Sequence, residues 1–136
     1  MEFSTREITD VYAEISPHIV NTPIIHSATF SDICHCRTLF KLENLQMTGS
    51  FKERGALNRL NQLTDDERQR GVIAASAGNH AQGVALGAQK LGCRAVIVMP
   101  VTTPEMKVRA VAARGAEVLL HGDNYDAACS EAYRLA

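Results

Sequence analysis

Apolar positions first recur at helical spacing and later gather into short continuous runs. Ile8, Val11, Tyr12 and Ile15 share one helix face behind a Ser4–Glu7 capping box, so the spacing predicts an amphipathic helix ending near Ser16, before Pro17. Asn21-Thr22-Pro23 reads as a turn, followed by a short segment to His26 and a helical piece over residues 27–33. Residues 38–44 set apolar Leu39, Phe40 and Leu42 among Lys41 and Glu43, an imperfect strand pattern. Ala56, Leu57, Leu60 and Leu63 continue a helical stripe after a glycine turn, and residues 64–67 start a short second helix that Gly71 ends. Three apolar runs follow, at 72–75, 95–99 and 118–120. Each leads through a polar turn into a helix pattern: residues 80–91, 104–114 and 124 onward. Strand, helix, strand at this spacing is the arithmetic of βαβ crossovers, so the predicted fold class is α/β, a parallel sheet with helices on both faces.

Composition narrows the functions open to such a chain. At 136 residues it is one ordinary domain's worth of protein, with 46% apolar and 21% charged residues, as in soluble globular proteins. Fourteen basic against fifteen acidic residues, with no basic run, leave nothing to neutralise a phosphate backbone, which argues against nucleic acid as a partner. No apolar run approaches the ~20 residues of a membrane span, and Met1-Glu2-Phe3-Ser4 lacks the order of a secretory leader, so no membrane partner and a cytoplasmic setting are expected. Cys34, Cys36, Cys93 and Cys129 form no Cys-x-x-Cys pair and read as reduced structural thiols. Cys34-His35-Cys36 alone offers too few ligands to wrap a tetrahedral ion, and no metal is expected.

Chemistry concentrates in two stretches. In Thr48-Gly49-Ser50-Phe51-Lys52-Glu53-Arg54-Gly55-Ala56, Ser50 and Glu53 have capping-box spacing, which would set Lys52 at a helix start. The partial positive charge there disfavours a second cation and would push a partly buried lysine toward its neutral, nucleophilic form, able to condense with a carbonyl. A solvated surface lysine fits the same spacing. The second stretch, Ser76-Ala77-Gly78-Asn79-His80-Ala81-Gln82-Gly83, follows a strand pattern, with Asn79 set to cap the next helix and backbone amides set to receive an anion. A plain strand-to-helix turn fits it too. His80 reads as a structural histidine facing the sheet, and Arg54 as half of a structural ion pair.

Together the two stretches resemble the signatures of the fold-type II pyridoxal 5'-phosphate enzymes (tryptophan synthase beta-like fold), most closely the threonine/serine dehydratases. The likeness continues through Lys41-Leu42-Glu43-Asn44 and Leu120-His121-Gly122-Asp123-Asn124 and so covers nearly the whole chain. It implies that Lys52 holds the cofactor, with Phe51 and Asn79 beside it, Asn79 on the ring hydroxyl. It implies equally that Ser76, Ala77, Gly78, Asn79 and His80 grip the substrate carboxylate. The activity implied is dehydration and deamination of L-threonine or L-serine, a small amino-acid substrate, in an enzyme that is a homo-oligomer at full length. In related serine racemases a serine resembling position 77 acts on the second face of the substrate; Ala77 has no proton to transfer and favours elimination.

The resemblance also sets expectations about extent. Residues 1–70 are expected to form the N-terminal part of a large cofactor domain, and 71–136 most of a small α/β domain lacking its last strand. The pattern ends at Leu135-Ala136 without a glycine cap or returning strand, so the fold is expected to be incomplete and the sequence to lead a longer enzyme. The family's glycine-rich phosphate loop and the partner of the pyridine nitrogen have no match here, so this chain alone is expected to have little or no activity. Alternatives are a non-catalytic α/β fragment or binding module, and a racemase of the same family.

Overall fold

The computed structural model describes residues 4–136; Met1, Glu2 and Phe3, part of the opening read for a leader, lie outside the described residues. Helix α1 (Thr5–Ile15) starts at the expected capping box: the Glu7 amide donates to Ser4 Oγ, and the Ser4 amide donates back to the Glu7 carboxylate. Strands β1 (Ile24–His26) and β2 (Leu39–Lys41) pair antiparallel, an association that the one-strand pattern did not foretell. Helix α2 (Ala28–Cys34) joins them, and Phe30 meets Phe40 edge-to-face at 5.1 Å. Cys34 and Cys36 are exposed, so the reading of all four thiols as structural is corrected for these two: they flank His35, the left-handed C-cap of a short surface helix, rather than enter a core.

Helices α3 (Lys52–Asn61) and α4 (Asp65–Arg70) precede a parallel sheet of β3 (Val72–Ala75), β4 (Ala95–Met99) and β5 (Glu117–Leu120) in the order β3-β4-β5. Val72 aligns with Ala95, and Val96 with Glu117. Helices α5 (Asn79–Leu91) and α6 (Glu105–Ala112) cross over on one face, where Ala81, Ala85, Ile97, Met99 and Val111 make the main core. Helix α7 (Tyr125–Leu135) covers the other face through Ala128 and Ala132, packed on Val98. Two crossovers on one face and a third helix opposite are the layers expected of a parallel sheet, and β4, paired on both sides, is the most buried strand. Among the described residues no helix is long and apolar enough to cross a membrane.

One packing detail positions everything discussed below. A Cβ on Gly83 would lie 3.0 Å from the Lys52 carbonyl oxygen, and one on Gly87 would lie 2.6 Å from Leu60 Cδ1. These two glycines, one turn apart on α5, let α3 lie directly on the helix, with Leu57 wholly buried beside them. Gly83→Val is therefore expected to lower stability by about 1–3 kcal/mol through overpacking against main-chain atoms that cannot rotate away. The few tenths of a kcal/mol gained in helix propensity are too small to compensate. Gly55→Ala, whose Cβ would meet nothing within 4 Å, should be neutral or stabilising; urea titration of the two variants beside the parent chain checks both expectations.

Candidate active site

The turn leading into Lys52 is closed twice. Gly49, at φ +70°, reverses the chain while its amide donates to the Gln46 carbonyl at 2.8 Å. The outer closure joins Glu43 to Arg54: Arg54 Nε donates to Glu43 Oε2 and Nη2 to Oε1, each at 2.8 Å, a two-pronged pair with both side chains mostly covered. The expected structural role of Arg54 is met. Thr22 Oγ1 donates to Glu43 Oε1 at 2.6 Å, and Gln46 grips both the amide and the carbonyl of Val20, fastening the segment after α1 to the same turn.

The inner closure corrects an expectation. Ser50 and Glu53 do not form a capping box, because Phe51 already has helical dihedrals and becomes the N-cap. Glu53 is then the second helical residue rather than the third, and its carboxylate reaches past Ser50 to accept from the Thr48 amide. Ser50 Oγ instead accepts from the Lys52 amide at 3.2 Å. Lys52 does sit at the start of the helix, as the sequence implied, but its side chain is exposed rather than partly buried. Its Nζ lies 5.0 Å from the centroid of the Phe51 ring. Lys41 donates to the Thr22 carbonyl and Lys90 to the His18 carbonyl, whereas Lys52 Nζ has no hydrogen-bond or ion-pair partner among the described residues.

The second stretch stands at the carboxyl end of β3. The Ser76 amide still follows the ladder, donating to the Val98 carbonyl at 3.1 Å, and Ser76 Oγ accepts from the Gly78 amide. Here too the cap differs from expectation. Gly78, extended at φ −131°, is the N-cap of α5; Asn79 is the first helical residue, exposed, and supplies no cap. Helices α1, α2, α4 and α7 each have a capping side chain; α3, α6 and α5, the last starting from a glycine, have none. The first amides of α5 are thus left for another acceptor. His80 is exposed, not packed on the sheet, and borders a cavity of about 280 Å³ with Gly55, Arg59, Ile73 and Val84.

The two stretches meet. Gly83 touches the Lys52 main chain, and Asn79 stands one turn before Gly83 on the same face of α5. Lys52 stands one turn before Gly55 on the α3 face that lines the cavity. Cβ atoms added at Gly55 and Gly78 would meet nothing within 4 Å. An unpaired amine beside an aromatic ring at the start of α3, and uncapped amides at the start of the adjoining α5, suit an anionic ligand with a carbonyl carbon.

The fold and the family of the two motifs define a class of enzymes that use a carbonyl cofactor. The chain is a member of the pyridoxal-phosphate dependent enzyme family, which it matches over residues 15–136. It is 51% identical over 124 residues to a catabolic L-threonine dehydratase of Staphylococcus aureus, covering 90% of this chain and 36% of that protein. Among solved structures it resembles the processed form of threonine deaminase isoform 2 from Solanum lycopersicum, with TM-score 0.85, 39% identity, and 99% and 39% of the two chains covered. It also resembles a maize serine racemase, with TM-score 0.87, 33% identity, and 94% and 39% covered. The chain spans about a third of the length of the curated dehydratases it matches first. The fold class and family anticipated from the two motifs are those observed.

Sequence reasoning missed Gly83 as a contact and Glu53 as a closure. The first had a signal, since Gly83 and Gly87 are four apart inside an apolar helix pattern where glycine otherwise only weakens the helix. The second had none, because the reach of Glu53 depends on which residue caps α3.

Electrostatics make the outer closure testable. Hydrogen bonds from Arg54 first, then the Thr22 hydroxyl, the Arg54 charge and Gln46, lower the Glu43 carboxyl from its usual 4.5 to about 2 against an opposing push from partial burial. A group whose folded value is depressed stabilises fully above 4.5 and loses that contribution as pH falls toward 2. After discounting for solvent screening, acid titration should remove about 1–3 kcal/mol over that window. In Arg54→Met the loss between those pH values should shrink in urea titrations, while the stability near neutral pH should already be lower.

Proposed function

We propose that this chain supplies the lysine-bearing part of an enzyme that dehydrates and deaminates L-threonine, and L-serine, to 2-oxobutanoate or pyruvate and ammonia. The observation that carries the reading is the contact of the Lys52 main chain with Gly83, one turn from Asn79. That contact sets the residue with the unpaired amine and the uncapped start of α5 on adjoining helices, which supports the reading. The same reading takes residues 1–70 as part of the cofactor domain and 71–136 as part of the small domain, with α3 and α5 as their shared wall. It takes the full-length enzyme as a cytoplasmic homo-oligomer.

Lys52 Nζ would hold pyridoxal phosphate through its aldehyde, with Phe51 beside it and Asn79 toward the ring hydroxyl. When bound, that cofactor supplies the electron sink for the Cα electron pair. The first amides of α5 and the Ser76–His80 loop would hold the substrate carboxylate. Lys52, once its amine is free, would take the Cα proton as general base from the α3 side and pass it to the departing β-hydroxyl, which leaves as water. One water consumed in hydrolysis of the eliminated product then releases ammonia and the 2-oxo acid. The methyl of Ala77 cannot return a proton from the other face, so elimination is favoured over racemisation despite the likeness to a serine racemase. Donors for the cofactor phosphate are not supplied by either stretch, and the reading includes weak binding and little turnover by residues 1–136 alone.

Reduction with borohydride after exposure to pyridoxal phosphate should leave a pyridoxyl adduct on Lys52, located by peptide mass spectrometry and lost in Lys52→Ala. Prior addition of L-threonine should lower that adduct more than D-threonine does. An adduct spread evenly over Lys41, Lys90 and Lys107, or indifferent to threonine configuration, would overturn the reading.

A further inference from the structure

Directly after Lys52, in the first turn of α3, stands a buried acid for which the reaction above has no use. Glu53 is completely buried, Thr48 is 8% exposed, and the Thr48 amide donates to Glu53 Oε1. Glu53 Oε2 and Thr48 Oγ1 are both shut off from solvent and have no hydrogen-bond partner among the described residues. A carboxylate removed from water with one oxygen unpaired is costly, and an apolar side chain would fill a helix position facing the core more cheaply. Packing alone therefore does not account for an acid here.

Its location suggests what does. The Glu43–Arg54 pair closes an outer loop, and the Thr48–Glu53 bond closes an inner one around Gly49, Ser50, Phe51 and Lys52. Within the inner loop the Lys52 amide is held by Ser50 Oγ and its carbonyl side rests on Gly83. The main chain of Lys52 is thus held on every side while its amine stays unpaired. Glu53, the next residue along, completes the frame from beneath.

We propose that Glu53 is the positioning residue for Lys52: its buried carboxylate closes the Thr48–Glu53 loop and so fixes the direction in which the lysine leaves α3. This rests on the reading of Lys52 as the cofactor lysine. Glu53 touches neither cofactor nor substrate and acts through the backbone. Gln keeps an oxygen for the Thr48 amide and places a donor where the second oxygen was, so it preserves the closure. Asp is one methylene shorter and keeps the charge but cannot span the loop.

The test uses the full chain, pyridoxal without its phosphate followed by borohydride, and the ratio of adduct on Lys52 to adduct on exposed Lys107 as an internal reference. Amide exchange at Thr48 reports the closure separately. Glu53→Ala and Glu53→Asp should raise Thr48 exchange about tenfold or more and lower the labelling ratio about fivefold, whereas Glu53→Gln should change both less than about twofold. If Glu53→Ala does not fold, the Asp variant decides. An unchanged labelling ratio in a folded Asp or Ala variant whose Thr48 exchange has risen would reduce Glu53 to a structural role and overturn the proposal. So would an unprotected Thr48 amide in the parent chain. A parent chain with protected Thr48 but no preference for Lys52 over Lys107 would instead sink the reading of Lys52, and this proposal with it.

Discussion

A missing side chain on α5 is the constraint from which the arrangement follows. Because Gly83 has no Cβ, the Lys52 carbonyl comes within a distance that any other residue would contest, and α3 can begin directly on α5. The amine-bearing residue and the loop after β3 are 24 or more positions apart in sequence, and no local pattern links them. Their meeting is a property of helix packing. The same close approach continues at Gly87, where Leu57 and Leu60 seat against the helix and tie the contact into the buried core.

Around that contact the chain separates what must be rigid from what must be free. Glu43, Arg54, Thr22 and Gln46 spend their polar groups on one another, and Glu53 binds the Thr48 amide. Lys52 Nζ and the first amides of α5 are left without partners among the described residues. Four helices are capped by Ser4, Ser27, Thr64 and Asn124, whereas α3, α5 and α6 start without a capping side chain. Unspent donors and an unpaired amine on adjoining helices are what a small anionic carbonyl ligand needs, and membership of a pyridoxal-phosphate dependent family accords with it.

The layers of the fold were legible in the sequence because burial imposes a period. The run of Ala95 to Met99, too short for a helix and bounded by turns, reads as an interior strand, and four of its five residues are buried. Helix boundaries were legible where a side chain caps the end, as at Ser4 and Thr64. They were misjudged where the cap lacks a side chain to announce it. Phe51 caps α3 through its backbone dihedrals alone, which moved Glu53 by one helical position and sent its carboxylate to Thr48. Gly78 likewise displaced Asn79 from the cap. The pairing of β1 with β2 was hidden for another reason: both strands are three residues long and exposed, so neither shows an inward face.

The central claim is that Lys52 and the Ser76–His80 loop border one small-ligand space, and attaching a reporter to the lysine tests it most directly. With pyridoxal phosphate reduced onto Lys52 of the isotopically labelled chain, nuclear magnetic resonance should show the amides of Gly78 to Ala81 among the most strongly shifted. Shifts confined to the neighbours of Lys52 on α3, with the residues after β3 unmoved, would contradict the account.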